Sequence, residues 1–198
     1  MLVPGQKLPD FSVPACVGIE KGKEFKPVSN KDFPGKWIVL YSYPKDFTFV
    51  CPTEIVEFDK KLKEFTDRDA VVLGGSTDNE FSHLAWRKDH SDLKNLHHPL
   101  LFLTPALVGQ LGILHPEAQA ALRATFIIDP DGVVRYASAN DLSVGRSVAE
   151  VLLETAADGG FDMLVAGGYG HSRLMESIFG GVTEHIVSHP KVPVFMMH

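Results

Sequence analysis

The sequence of residues 37–58 is WIVLYSYPKDFTFVCPTEIVEF, and it predicts a strand, a loop and a helix in that order. Residues 37–43 are apolar, aromatic or β-branched, which is typical of a buried strand, and Pro44 ends that run. After Pro52, apolar residues recur every three or four positions, as one face of a helix requires. These residues are Ile55, Phe58, Leu62 and Phe65.

Cys51 lies at the predicted start of this helix. Pro52 suits the first helical turn, because a backbone N–H has no partner there. The unpaired N–H groups and the helix dipole favour an anion at this end, so a thiol there ionises more readily. The thiolate is the reactive form of cysteine. Thr48 can turn its hydroxyl toward the same space, but an inert buried cysteine fits the local pattern equally well.

Composition limits the class of protein. The chain has 198 residues, 44% hydrophobic and 22% charged, which suits one globular domain or one domain with a small addition. A net charge of −6 without a basic patch argues against a nucleic-acid partner. The sequence has no signal pattern and no apolar run of about 20 residues, so neither export nor a membrane is expected. With Cys16 and Cys51 as the only cysteines, a reducing cytoplasm is expected.

Other segments predict an α/β sheet. A strand over residues 70–75 completes a β-α-β unit with the strand over residues 37–43, and hence a parallel pair. The remaining predicted elements are a helix opened by a capping box at residues 77–80, a short strand at 100–103, a helix over 104–111, a hairpin of 124–129 with 133–138, and a helix opened by a second capping box at 147–150.

The stretch YPKDFTFVCPTE at residues 43–54 closely resembles the peroxidatic motif of peroxiredoxins of the alkyl hydroperoxide reductase type. The resemblance covers about the first three-quarters of the chain and implies a thioredoxin-like domain over residues 1–150. The other stretches that support it are PDF at 9–11, GSTD at 75–78, LRATFIID at 122–129 and NDLSVGRS at 140–147.

This resemblance implies a thiol-dependent peroxidase that reduces hydrogen peroxide or organic hydroperoxides and needs no cofactor. Cys51 would attack the peroxide as a thiolate and become a sulfenic acid. Thr48 would exchange hydrogen bonds with the peroxide. Arg123 would stabilise the thiolate and the developing charge, and Pro44 would shield the cysteine from water.

Residues 151–198 depart from that family, in which a second, resolving cysteine usually follows. They predict a strand at 161–166, a glycine-rich loop at 167–173, a helix, and a strand at 192–197. This tail resembles the end of a universal stress protein, so the fold expected is a peroxiredoxin with an extra C-terminal Rossmann-like β-α-β unit. Because its two parts resemble different families, the chain looks like a chimera, either natural or engineered.

The tail could hold a nucleotide, because universal stress proteins bind phosphates on their glycine-rich loop. Gly167, Gly170 and Gly180 match that pattern, but Gly181 stands where serine or threonine is expected. A structural turn is the other interpretation. No metal site is expected. Adjacent residues of a helix or strand point apart, which argues against a metal shared by the histidine pair at residues 97–98, and the pair is interpreted as a loop feature.

The sulfenic acid must be reduced by Cys16, by Cys51 of a second chain, or by an external thiol such as a thioredoxin-like protein or glutathione. A homo-oligomer, a dimer or larger, is expected from either half of the chain. The alternative function is a weakly active or inactive peroxiredoxin scaffold whose tail serves oligomerisation or stress-related binding.

Overall fold

A computed structural model describes residues 1–142, 144, 164–167 and 194–197. The chain divides into two compact units, Met1–Arg146 and Ser147–His198. The boundary between residues 150 and 151 given by the sequence stays a prediction.

The first unit is built on one seven-stranded sheet with strand order β2-β1-β5-β4-β3-β6-β7. Its elements in chain order are β1 Ser12–Cys16, β2 Phe25–Ser29, a 3-10 turn Asn30–Asp32, β3 Trp37–Ser42, α1 Cys51–Lys60, α2 Leu62–Thr66, β4 Ala70–Ser76, α3 Glu80–Asp89, β5 Leu100–Phe102, α4 Pro105–Leu111, β6 Arg123–Ile128 and β7 Val134–Asn140.

Strand β3 lies inside the sheet, parallel to β4 and antiparallel to β6. The predicted β-α-β unit and the predicted hairpin of β6 with β7 are therefore confirmed. Because side chains alternate along a strand, β3 packs on both faces of the sheet. Leu40 lies in a core cluster with Leu107 and Leu111 of α4, whereas Tyr41 stacks on Phe58 of α1 with ring centroids 4.1 Å apart.

The helix boundaries follow local capping chemistry. Thr104 accepts a hydrogen bond from the backbone N–H of Leu107, as predicted, and α4 ends at a left-handed Gly112 with φ 70°. The predicted capping box at residues 77–80 is wrong in its first residue. Asn79 caps α3 by accepting from the N–H of Ser82, whereas the Asp78 N–H is bound by Ser76 Oγ.

The sequence predicted no element before residue 37, yet the chain begins with an antiparallel hairpin. Strands β1 and β2 pair from Ser12 with Ser29 to Cys16 with Phe25. Strand β1 also pairs with β5, which joins the hairpin to the main sheet. Most side chains of β2 are exposed, so its sequence lacks the apolar signal of a buried strand.

The second unit contributes two described strands, β8 Leu164–Gly167 and β9 Val194–Met197, which pair in parallel. The sequence predicted both strands, at 161–166 and 192–197, and a parallel pair is what a β-α-β unit produces. The predicted helices at 147–157 and within the tail lie outside the described residues, as do Gly170 and Gly180. Within the described part of the chain, no helix is long and apolar enough to cross a membrane.

Candidate active site

Cys51 is the first residue of α1, as the sequence predicted, and its side chain is fully buried. Val50 precedes it and supplies no side-chain cap to the helix. The first backbone N–H groups of α1 are therefore not satisfied by a capping side chain, and their partial positive charge lies beside the sulfur. Helix N-termini are positions at which proteins commonly bind anions, and the Cys51 side chain lies at such an end.

Arg123, the first residue of β6, reaches the same place from the neighbouring strand. Its Nη1 lies 3.4 Å from Cys51 Sγ and 2.8 Å from Glu54 Oε2, and its Nε donates to the Leu142 carbonyl at 2.9 Å. Arg123 and Glu54 are both buried, with side chains 5% and 6% exposed. The guanidinium is thus fixed in orientation by two oxygen atoms while it faces the sulfur.

The loop between β3 and α1 carries the other two predicted residues. Pro44 is buried and Thr48 is half-buried. The Thr48 hydroxyl donates to the Lys45 carbonyl at 3.0 Å, which leaves the lone pairs of its oxygen available as acceptors. Phe47, directly before Thr48, has a φ of 55°, a strained conformation for a non-glycine residue. The loop is therefore held in one conformation at some conformational cost.

Asp46 anchors this loop to the rest of the domain. Its carboxylate accepts hydrogen bonds from Tyr43 Oη at 3.0 Å and Ser82 Oγ at 2.9 Å, and it contacts His83 Nδ1 at 2.7 Å. Its backbone N–H donates to Asp78 Oδ2 at 2.7 Å. Burial raises the pKa of Tyr43 well above its usual range, and the Asp46 charge adds to that shift. Tyr43 therefore stays a hydroxyl donor to the carboxylate.

Cys16, the second cysteine, lies at the end of β1 and is also fully buried. Its Sγ contacts the Gly18 carbonyl at 3.4 Å and lies 3.9 Å from Arg87 Nη1. Burial raises the pKa of the Cys16 thiol, and the nearby Arg87 charge only partly offsets this. Both cysteines are free thiols.

A second polar cluster, which is only partly buried, joins α1 to the loop before β5. Asp59 accepts hydrogen bonds from the His97 backbone N–H at 2.7 Å and from Nδ1 of His98 at 3.1 Å, and it contacts His97 Nδ1 at 3.0 Å. The adjacent histidines therefore share one carboxylate. The interpretation of this pair as a loop feature is confirmed, because His97 and His98 lie outside the helices and strands. No group of three or more His, Cys, Asp or Glu side chains among the described residues is one that could hold a metal ion.

The fold thus brings together two of the predicted residues, Cys51 and Arg123. It places the other two, Pro44 and Thr48, in the loop between β3 and α1. Sequence reasoning assigned no role to Glu54, the ion-pair partner of Arg123. Its position three residues after Cys51 puts both on one helix face, which was the signal available. The contacts of Asp46 with Ser82 and His83, and those of Asp59 with the histidine pair at 97–98, join residues 36–39 positions apart. The sequence offers no local signal for these contacts.

A thioredoxin-like sheet with a cysteine and an arginine meeting at the start of α1 defines the peroxiredoxin class. Residues 4–137 match the AhpC/TSA family. The chain belongs to this family and is a peroxiredoxin. Residues 135–198 match the universal stress protein family, as the resemblance of the tail predicted.

Individual relatives agree with this assignment. Alkyl hydroperoxide reductase C of Mycolicibacterium smegmatis is 45% identical over 161 residues, which cover 77% of this chain and 82% of the relative. The mitochondrial thioredoxin-dependent peroxide reductase of Drosophila melanogaster is 46% identical over 151 residues, which cover 74% of this chain and 63% of the relative. The structure of Mycobacterium tuberculosis AhpC superposes with a TM-score of 0.76 at 41% identity, covering 81% of this chain and 94% of that chain. The thioredoxin-like peroxiredoxin fold is thereby confirmed.

Proposed function

We propose that the chain is a thiol-dependent peroxidase in which Cys51 reduces hydrogen peroxide or an organic hydroperoxide. The observation that carries this proposal is the meeting of the Cys51 sulfur with Arg123 Nη1 at 3.4 Å, at the N-terminus of α1. The names of the relatives, alkyl hydroperoxide reductase C and thioredoxin-dependent peroxide reductase, support this reaction class.

In the first step, the Cys51 thiolate attacks one peroxide oxygen. A sulfur–oxygen bond forms, the O–O bond breaks, and water or an alcohol leaves after it takes up a proton. The sulfur is oxidised to a sulfenic acid. Negative charge moves from sulfur to the departing oxygen, so a positive group near that oxygen lowers the barrier.

Arg123 is the group that supplies this charge. Its guanidinium cannot lose its proton, and Glu54 and the Leu142 carbonyl hold it against the sulfur. Because the site is buried, the charge interaction is stronger than it would be in water. Thr48 offers a hydroxyl oxygen that can accept a hydrogen bond from the peroxide, and Pro44 excludes water from the cysteine.

The sulfenic acid is then reduced by an external thiol. No cysteine follows Cys51 in this sequence. Burial and a raised pKa make Cys16 a poor nucleophile toward a second sulfur. One external thiol would form a mixed disulfide with Cys51 and release water, and a second would regenerate the Cys51 thiol. Thioredoxin-like proteins and glutathione are the reductants of this kind in a reducing compartment such as the cytoplasm.

Peroxide consumption with dithiothreitol as reductant tests this function. Replacement Cys51→Ser should abolish turnover, while the matched replacement Cys16→Ser should retain most of it. Intact mass after one equivalent of peroxide should show one added oxygen atom on the wild type and none on the Cys51→Ser protein. If the wild type and both variants consume peroxide no faster than dithiothreitol does without protein, the peroxidase proposal is wrong and the alternative of an inactive scaffold is favoured.

We further propose that the chain forms a homo-oligomer. Several large apolar side chains of the first unit are exposed, among them Phe49 at 96%, Phe81 at 62% and Phe47 at 56%. Exposed apolar side chains of this number favour association. Light scattering on the full chain should give at least the mass of a dimer, and a monomer mass at every concentration would contradict this.

A further inference from the structure

Tyr41 carries a hydrogen-bonding arrangement that the peroxidase reaction does not use. Its phenol oxygen lies 2.7 Å from His98 Nε2, and the opposite ring nitrogen of His98 lies 3.1 Å from Asp59 Oδ1. Since the carboxylate can only accept, Nδ1 of His98 carries the proton and Nε2 is the acceptor of the Tyr41 hydroxyl. A hydrogen-bonded series therefore runs from Asp59 through His98 to Tyr41. In this series the Tyr41 hydroxyl donates to a base, the free ring nitrogen of His98.

This series is closed to water at the phenol end. Tyr41 is fully buried and His98 is 3% exposed. Burial lowers the pKa of His98, although Asp59 opposes this shift, so the ring is neutral and able to take up a proton at neutral pH. A side chain on Gly74 would overlap the Tyr41 ring, so glycine at that position gives the phenol its space.

Two more oxidisable aromatic rings, those of Tyr43 and Trp86, lie one after the other next to Tyr41. The ring centroids of Tyr41 and Tyr43 are 6.5 Å apart, and those of Tyr43 and Trp86 are 5.9 Å apart. Trp86 packs in turn against Phe47, which is exposed in the loop before Cys51. The three rings form a continuous buried row of indole and phenol groups, the side chains that lose a single electron most readily.

We propose that Tyr41 is a redox-active tyrosine that is oxidised by one-electron oxidants, such as radicals of oxygen or nitrogen. Tyr41 gives one electron to the radical, directly or through Tyr43 and Trp86, and the radical becomes an anion. The phenol proton moves to His98 Nε2 in the same step. The products are a neutral Tyr41 phenoxyl radical and a protonated His98 held by the Asp59 carboxylate. This activity does not depend on the two-electron chemistry proposed for Cys51.

The geometry favours this step because the proton has to move only along one short hydrogen bond. Loss of an electron makes a phenol strongly acidic, so a base within 2.7 Å removes the cost of a buried positive charge on the ring. Asp59 then compensates the charge that His98 acquires. A phenol that lacks such a base would have to release its proton to water, which does not reach Tyr41.

The test exposes the full chain to azidyl radicals generated by radiolysis, in a Cys51→Ser background that removes the proposed reactive thiol. Freeze-quenched samples are examined by electron paramagnetic resonance for a persistent phenoxyl signal. Because the background lacks Cys51, the outcome is independent of the peroxidase proposal. The sequence has four tyrosines, so replacing single ones assigns the signal.

We expect Tyr41→Phe, which keeps the ring that stacks on Phe58, to lose most of the persistent signal. The matched control Tyr136→Phe removes a partly buried phenol from β7 and should keep the signal. Replacement His98→Gln leaves a hydrogen-bond acceptor that cannot take up a proton, and it should shorten the lifetime of the signal severalfold. Circular dichroism checks that each variant is folded.

Retention of the full signal in a folded Tyr41→Phe protein would overturn the proposal. An unchanged lifetime in His98→Gln would overturn the role of the base even if the radical resides on Tyr41. Should Tyr41→Phe fail to fold, the His98→Gln result decides, because that variant leaves every aromatic ring of the row in place.

Discussion

The two cysteines of this chain lie in similar surroundings, and we propose different chemistry for them. Cys51 and Cys16 are both fully buried, and each has an arginine nitrogen within 4 Å of its sulfur: Arg123 at 3.4 Å and Arg87 at 3.9 Å. Under the proposed function only Cys51 reacts with peroxide, so an adjacent arginine by itself does not decide which cysteine is reactive. The differences are in the backbone that presents each sulfur and in what else the arginine binds.

Cys51 begins a helix, whereas Cys16 ends a strand. The helix N-terminus places unpaired backbone N–H groups beside the Cys51 sulfur. The end of a strand offers no comparable set of N–H groups to Cys16. Arg123 is neutralised by Glu54 and directs a second bond to the thiol. Arg87 donates to the carbonyls of Cys16 and Leu96 and, at the longer distance of 3.9 Å, to the Cys16 sulfur. Among the described residues no carboxylate pairs with Arg87. Arg87 thus ties two chain segments together.

The largest effect is expected from removing the arginine at Cys51. Loss of Arg123 alone would leave Glu54 as an uncompensated buried charge, which costs about 3–5 kcal/mol of stability. The double replacement Arg123→Gln with Glu54→Gln avoids that cost. It should lower kcat/KM for peroxide by about 10²–10³, the loss typical of one oxyanion-stabilising donor.

The single replacement Glu54→Gln is the matched control. It should retain most of the activity of the folded protein, because the glutamine side-chain oxygen can still accept the bond that orients Arg123 toward the sulfur. Like the loss of Arg123 alone, it leaves an uncompensated buried charge, so stability should fall by about 3–5 kcal/mol. Replacement Arg87→Met at the other cysteine should leave kcat/KM unchanged. It should lower the free energy of unfolding by about 1–3 kcal/mol, since two buried carbonyls lose their donor. Equal losses of activity in the Arg87 and Arg123 variants would mean that the two cysteines are not distinguished as proposed.

The next effect concerns direct alkylation of the thiols. At neutral pH, iodoacetamide should modify Cys51 at least about tenfold faster than Cys16, since only the thiolate reacts and only Cys51 begins a helix. The raised pKa of Cys16 means that its alkylation should increase only as the pH rises beyond the ordinary thiol value of 9.0. Peptide mass spectrometry measures both rates in one sample. Faster modification of Cys16 in the folded protein would reverse the comparison.

The smallest expected effect is on stability, and it concerns the helix or strand to which each cysteine belongs. Helix α1 is bound through Asp59 to the histidine pair at 97–98, while no titratable side chain of β1 makes a comparable bond. Burial opposes ionisation of Asp59, but the bonds from His98 and His97 outweigh it and hold its pKa at about 2, below the usual 3.8. Stability from this group is present above pH 3.8 and is lost as the pH falls toward 2.

Burial of neutral His98 acts in the same direction, with a loss that begins as the pH falls below its ordinary value of 6.5. Urea unfolding from neutral pH downward should therefore show falling stability. Asp59 contributes about 1–2 kcal/mol after allowance for its partial contact with solvent. Replacement Asp59→Asn should flatten the acidic part of the profile, and an unchanged profile would show that Asp59 does not support α1.

The sequence predicted much of the first unit, because its signals are local. The strand before Pro44 and the helix after Cys51 depend on neighbouring residues, and the hairpin of β6 with β7 turns at Pro130, Asp131 and Gly132. The N-terminal hairpin was missed because β2 is an exposed edge strand without apolar alternation. Arg123 was identified only through the family resemblance, since 72 residues separate it from Cys51.

Residue identities and short spacings were enough to predict that Cys51 starts a helix, that the chain has one other thiol, and that the tail departs from the family of the first unit. The three-dimensional fold was needed to show that Arg87 meets Cys16, that Glu54 holds Arg123, and that Tyr41 meets a base at His98. These contacts join residues far apart in sequence, and a side chain's partner across a sheet is set by strand order and register rather than by its neighbours in the chain.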